Sequence, residues 1–185
     1  MKAASEARGG LNLSKAGRSS ATAWEQIVQS PQLLMTSLLT GLQLFQVLFL
    51  GLHDWIPLGR LNDTKAARQA NPGAALLTTT AISAAPFAIL LAFSLVDAPR
   101  AYPGWLIDAL LIGYGVLFLG ELQAWWIPYL VWPQPRRALR YQALFGRTHA
   151  FLPERNGIRP NTLHILLHVS TLATLILLGV LSARS

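Results

Sequence analysis

Residues 104–127 read GWLIDALLIGYGVLFLGELQAWWI, and residues 162–182 read TLHILLHVSTLATLILLGVLS. Each run is long enough to cross a bilayer, because about 20 helical residues at roughly 1.5 Å rise span the hydrocarbon core of about 30 Å. Each also carries side chains that hydrocarbon penalises. The first holds Glu121, followed by Trp125 and Trp126; the second holds His164 and His168. Two such runs, nearly free of charge, impose the reading of a polytopic helical membrane protein.

Composition agrees. Of 185 residues, 52% are hydrophobic and 12% are charged, about half the charged share usual in soluble domains. There is no cysteine, so disulfides, thiolate metal sites and cysteine nucleophiles are excluded. The net charge of +7 reads as a topological bias and an attraction to anionic headgroups, with no nucleic-acid partner. No G-x-S-x-G and no glycine-rich phosphate loop with lysine is present, which sets aside the common serine-hydrolase and nucleotide-binding schemes. The chain is short for an inverted-repeat transporter and lacks a pair of interrupted spans.

Outward from the two runs, the fold class expected is an all-α membrane protein. Four transmembrane helices form a bundle, with a short interfacial helix in the third connection. Residues 1–29 read as a disordered arm: 1–20 are mainly Ala, Gly, Ser, Lys and Arg with no apolar run, and the end, Ala21–Gln29, suits an interfacial helix held by Trp24, Ile27 and Val28. The membrane domain is 30–185, with spans near 33–53, 74–96, 104–127 and 162–182. Ser30-Pro31 and Asn71-Pro72 read as a capping side chain followed by proline at the first helical position, and Pro160-Asn161 opens the last span. Pro86 should kink the second span. Gly113, Gly115 and Gly120 permit close helix approach. Pro135 should start a helix ending at Gly146, with Arg136, Arg137 and Arg140 toward water and Tyr141, Leu144 and Phe145 toward the membrane. Asn156-Gly157 is a turn signal.

Lysine and arginine counts give the orientation. The first and third connections carry nine, against six in the arm, the second connection and the tail. The positive-inside bias puts those two connections in the cytoplasm and both termini outside a plasma or bacterial inner membrane. His53, Glu121, His164 and His168 then share one leaflet half, with Gln43 and Gln46 just deeper.

Intramembrane ionisable groups are functional by default. Glu121, His164 and His168 are therefore the candidate catalytic residues, as acid–base groups. Gln43, Gln46 and His53 are candidate orienting groups, Trp125 and Trp126 candidate apolar walls, and Arg136, Arg137 and Arg140 candidate contacts to a phosphate or lipid headgroup. Each has a plainer reading: a hydrogen-bonded carboxylate that fixes helix register, a polar network of histidines, arginines that only set topology. Histidines four apart share a helical face and can hold one metal with Glu121 and His53, or a haem can bridge His53 and a histidine of the last span. A polar network outranks both, and no cofactor is identified by these residues. The leading function is binding, with acid–base conversion, of a lipophilic or amphipathic small molecule from the bilayer. A metal- or haem-binding redox component and a non-catalytic assembly subunit with a membrane-protein partner are the alternatives.

Overall fold

The computed structural model describes residues 31–98 and 100–184. The N-terminal arm and the Ser30 cap lie outside the described residues. Every regular element among them is a helix: α1 (Pro31–Leu52), α2 (Thr64–Ala70), α3 (Ala74–Asp97), α4 (Gly104–Leu130), α5 (Pro135–Phe145) and α6 (Thr162–Ser182). Within α4, residues Leu122–Trp126 widen into one π turn. Four helices, α1, α3, α4 and α6, are long and apolar enough to cross a membrane.

The pattern of burial follows the helical period. On α1, Thr36, Leu39, Gln43, Gln46, Phe49 and Leu50 are buried, a stripe at three- and four-residue spacing. α1 packs on α3 and α6, and α4 packs on α6 and, more lightly, on α3. The apolar core gathers Leu39, Phe49, Leu106, Leu110, Tyr114, Leu167 and Leu178 from these helices. Among the glycines of α4, Gly113 is the close-approach position, since an added Cβ would stand 3.0 Å from Leu90 Cδ1 of α3; Gly115 and Gly120 face open space.

Polar side chains stitch the helices together. Ser94 Oγ donates to Gln43 Oε1 at 2.9 Å, joining α3 to α1. Gln46 Nε2 donates to Ser170 Oγ at 3.2 Å and Thr174 Oγ1 at 3.0 Å, joining α1 to α6. Thr40 and Tyr102 hydroxyls lie 2.7 Å apart. Buried polar groups thus continue well beyond the histidine-bearing end to which the sequence had confined most of them.

Local signals behave as chemistry dictates, with one exception. Asn161 caps α6, its Oδ1 accepting from the His164 N–H at 3.0 Å. Asn156 and Gly157 adopt φ of 53° and 72°, and Arg155 and Ile158 exchange two 2.9 Å backbone bonds across them, a tight two-residue turn. Asn71, expected to open the second span, instead ends α2, its N–H donating to the Ala67 carbonyl. Gly73, at φ 55°, makes the reversal into α3, a conformation that glycine adopts without strain.

The first and third connections meet at one end. Asp63 caps α2 through the Ala66 N–H and pairs with Arg147 at 2.7 Å. These two contacts, the Ala66 bond foremost, hold its carboxyl below the ordinary range against some desolvation. The His149 N–H donates to the Arg60 carbonyl at 2.6 Å.

Candidate functional site

The π turn organises the site, and Pro128 accounts for it. Proline lacks an N–H and its ring crowds the carbonyl of the preceding turn. The Ile127 N–H reaches back to Leu122, five residues earlier. The carbonyls that residue 128 would have served are Ala124 in α register and Gln123 in π register. Both are supplied from α5: Arg137 Nη1 donates to Gln123 O at 2.5 Å and to Ala124 O at 3.2 Å, and the Tyr141 hydroxyl donates to Ala124 O at 3.0 Å. π turns concentrate at functional sites; here the extra residue rotates two successive tryptophans toward α6.

Trp125 is buried, with its ring 4.7 Å from that of His164, 4.4 Å from Tyr141 and 5.2 Å from Phe145. Tyr141 and Phe145, on the side of α5 expected to face the membrane, thus pack on Trp125. Burial raises the Tyr141 hydroxyl above its ordinary range, opposed by the guanidiniums of Arg137 and Arg140. Trp126 is not a cavity wall; its Nε1–H donates to His168 Nδ1 at 3.1 Å.

A cavity of about 700 Å³ lies between α1, α3, α4 and α6, lined by Leu50, Phe87, Leu117 and other apolar side chains together with His53, Glu121, Trp125, His164 and His168. Its rim includes Ile82 and Val116, 70% and 66% exposed, so it opens on the apolar outer surface between α3 and α4. Pro86 of α3 lines it and leaves the Ile82 carbonyl without its helical donor.

The sequence placed Glu121, His164 and His168 together by depth, and all three line this cavity. Glu121 is 5% exposed. Its Oε1 accepts from Thr171 Oγ1 at 2.9 Å, and its Oε2 is buried without a hydrogen-bond partner. His168 accepts at Nδ1 from an indole N–H, so the proton of its neutral ring sits on Nε2. His164 Nδ1 lies 2.6 Å from Asn161 Oδ1. That oxygen also accepts from the His164 backbone, so Nδ1 carries a proton and Nε2 is left as the acceptor. His53 Nδ1 faces the Phe49 carbonyl at 2.8 Å and its Nε2 faces Asp54 at 3.3 Å. Among the described residues, no hydrogen bond joins Glu121 to a histidine, and no group of three His, Asp or Glu side chains is placed to hold a metal ion.

Gln43 and Gln46 do not line the cavity; their bonds run to Ser94 and to Ser170 and Thr174. Arg136, Arg137 and Arg140 line a separate cavity of about 490 Å³ with Tyr141, Leu144 and Phe145, which shares Ala124, Trp125 and His164 with the first. Thr171 and Asn161 were not singled out as functional from sequence, and Trp126 was read as an apolar wall rather than as the donor to His168. Thr171 was within reach, because His164, His168 and Thr171 fall at i, i+4 and i+7 on one face.

No protein-family model matches the chain, and no curated protein and no solved structure is significantly similar to it.

Proposed function

We infer that this polytopic membrane protein binds a lipophilic or amphipathic small molecule that enters sideways from the bilayer, and that Glu121, His164 and His168 act on it together, Glu121 and His164 by acid–base chemistry and His168 as a hydrogen-bond donor. One observation carries the reading. A mostly apolar cavity of about 700 Å³, open between two span-length helices, holds a carboxylate and three imidazoles, those of His53, His164 and His168, at its wall. Small-molecule sites are apolar hollows of this size with a few convergent polar groups. Its mouth faces the apolar surface that lipid would cover, which favours a ligand already dissolved in lipid. The absence of a three-ligand cluster among the described residues gives no support to the metal-binding alternative, and the pairwise bonds of Gln43 and Gln46 fit helix association for those two residues.

The test uses an alcohol with a terminal bromine, 11-bromoundecanol, whose bromine quenches tryptophan on contact. Protein in zwitterionic nanodiscs should show saturable quenching. Gly120→Leu puts a side chain into the cavity at a position where a Cβ meets nothing within 4 Å, so it should abolish saturation while the melting temperature holds. Gly115→Leu, equally open but outside the cavity, is the control. Equal quenching in all three proteins would mean that the probe merely samples lipid.

A further inference from the structure

We propose that the ligand is an amphiphile with a dianionic, phosphate-monoester type of headgroup, held by Arg136 and Arg140 while its chain occupies the cavity between α3 and α4. The proposal rests on the binding reading above and adds the chemistry of the head.

The arginine-lined cavity is not an isolated surface feature. It shares Ala124, Trp125 and His164 with the apolar cavity. The wall between them is therefore one methyl group and two rings whose centroids lie 4.7 Å apart. Ala124, Trp125 and His164 thus border both spaces. A molecule occupying both would have its head among guanidiniums and its tail among Phe87, Leu117 and Val116.

The three arginines have different tasks. Arg137 is committed to the Gln123 and Ala124 carbonyls. Arg136 and Arg140 are exposed, and among the described residues neither makes an ion pair; the two pairs present are His53–Asp54 and Arg147–Asp63. They stand four apart on α5, on one face. α5 begins at Pro135 without a side-chain cap, so its first free N–H groups and the positive end of its dipole add to the same field. Arg136 and Arg140 are the guanidiniums whose donors are not committed to carbonyls, Arg137 adds a third positive charge beside them, and the planar fork suits a tetrahedral oxyanion bidentately. A carboxylate head brings one negative charge to this field; a phosphate monoester brings about two.

The experiment compares 11-bromoundecyl phosphate, 11-bromoundecanol and inorganic phosphate on the full chain in zwitterionic nanodiscs, read by tryptophan quenching and, for inorganic phosphate, by competition. The phosphate ester should bind about tenfold more tightly than the alcohol or better. In Arg136→Gln/Arg140→Gln that ratio should fall to near one with the alcohol unchanged; Arg137 stays, so the π turn is undisturbed. Inorganic phosphate should compete only at far higher concentration. Equal binding of ester and alcohol by the unaltered protein overturns the headgroup assignment and leaves the binding reading standing. Inorganic phosphate competing as well as the ester overturns the amphiphile in favour of a free anion. Saturable binding of neither organic probe overturns both.

Discussion

Replacing Tyr141 by Phe tests whether α5 exists in this position to repair what Pro128 breaks. The hydroxyl donates to the Ala124 carbonyl at 3.0 Å, and Arg137 still reaches the same oxygen at 3.2 Å. A net hydrogen bond is worth about 0.5–1.5 kcal/mol, and a carbonyl stranded away from water costs about 1–3 kcal/mol. Tyr141→Phe alone should therefore cost about 1 kcal/mol, since the carbonyl keeps one donor. Arg137→Ala should cost about 2 kcal/mol, because it removes a charged donor from two carbonyls. The double variant should exceed their sum by about 1–2 kcal/mol, because only then is Ala124 stranded. The decisive arm is Pro128→Ala, which returns the missing N–H: in that background Tyr141→Phe should cost close to nothing. Thermal unfolding in detergent, followed by circular dichroism, resolves this at about 2–4 °C per kcal/mol for a chain of this length. An undiminished Tyr141→Phe cost in the Pro128→Ala background would refute the reasoning, and α5 would then be docked by ring packing alone.

Three further outcomes are expected. The Asp63 carboxyl is held below its unfolded range, so its contribution is complete above about pH 3.9 and is lost as pH falls through the lower folded value; stability of Asp63→Asn should accordingly be lower at neutral pH and show less acid dependence below pH 4, and parallel acid profiles would refute the assignment. Glu121→Gln and His168→Ala should be additive in melting of the ligand-free protein, which has no direct bond between them, and non-additive in ligand affinity because they share a cavity; additivity in both readouts would separate them into unrelated polar residues. Single cysteines at Ala143 and Ser185 should label from opposite faces of the membrane, with Ala143 cytoplasmic, and labelling of Ala143 from outside intact cells would reverse the orientation.

What the sequence made legible follows from what hydropathy and turn chemistry encode. The last span occupies Thr162–Ser182 as read, because an apolar run bounded by Asn161 leaves little choice of start. Pro135 opens α5 and Gly146 follows its end, again because proline and glycine act locally. The rotation of one helix against another is not local, and there the reading thinned. Thr171 as the donor to Glu121, and Trp126 as the donor to His168, depend on how α4 turns against α6. That rotation is set by the π turn, whose cause, Pro128, sits in plain view but acts through register. Tyr141 and Phe145 suit lipid and an aromatic neighbour alike, and nothing local in the sequence names Trp125 as that neighbour. Asn71-Pro72 carried a start signal, yet the same asparagine also serves to end a helix, and Gly73 decided the turn.

The outer partners of the two imidazoles determine what each can do for a ligand. His164 gives its Nδ1 proton to Asn161 Oδ1. Taking a second proton at Nε2 would leave that bond intact and strengthen it, since the donor becomes cationic. Protonation at Nε2 therefore calls for no rearrangement of that bond. His168 is constrained in the opposite sense. Its Nδ1 lone pair is occupied by the Trp126 N–H, so protonation would break that bond and set two donors against each other. Its Nε2–H remains available as a hydrogen-bond donor, and releasing that proton would require an imidazolate. His168 thus suits orientation of a ligand oxygen rather than proton exchange. Glu121, with Oε1 fixed by Thr171 and Oε2 unpartnered at the cavity wall, is the second group able to carry a proton. Under the proposed function, a base at His164, a fixed donor at His168 and a carboxyl at Glu121 would have distinct roles. Gln46 is placed differently: its Nε2 joins α1 to Ser170 and Thr174 of α6, and it does not line this cavity.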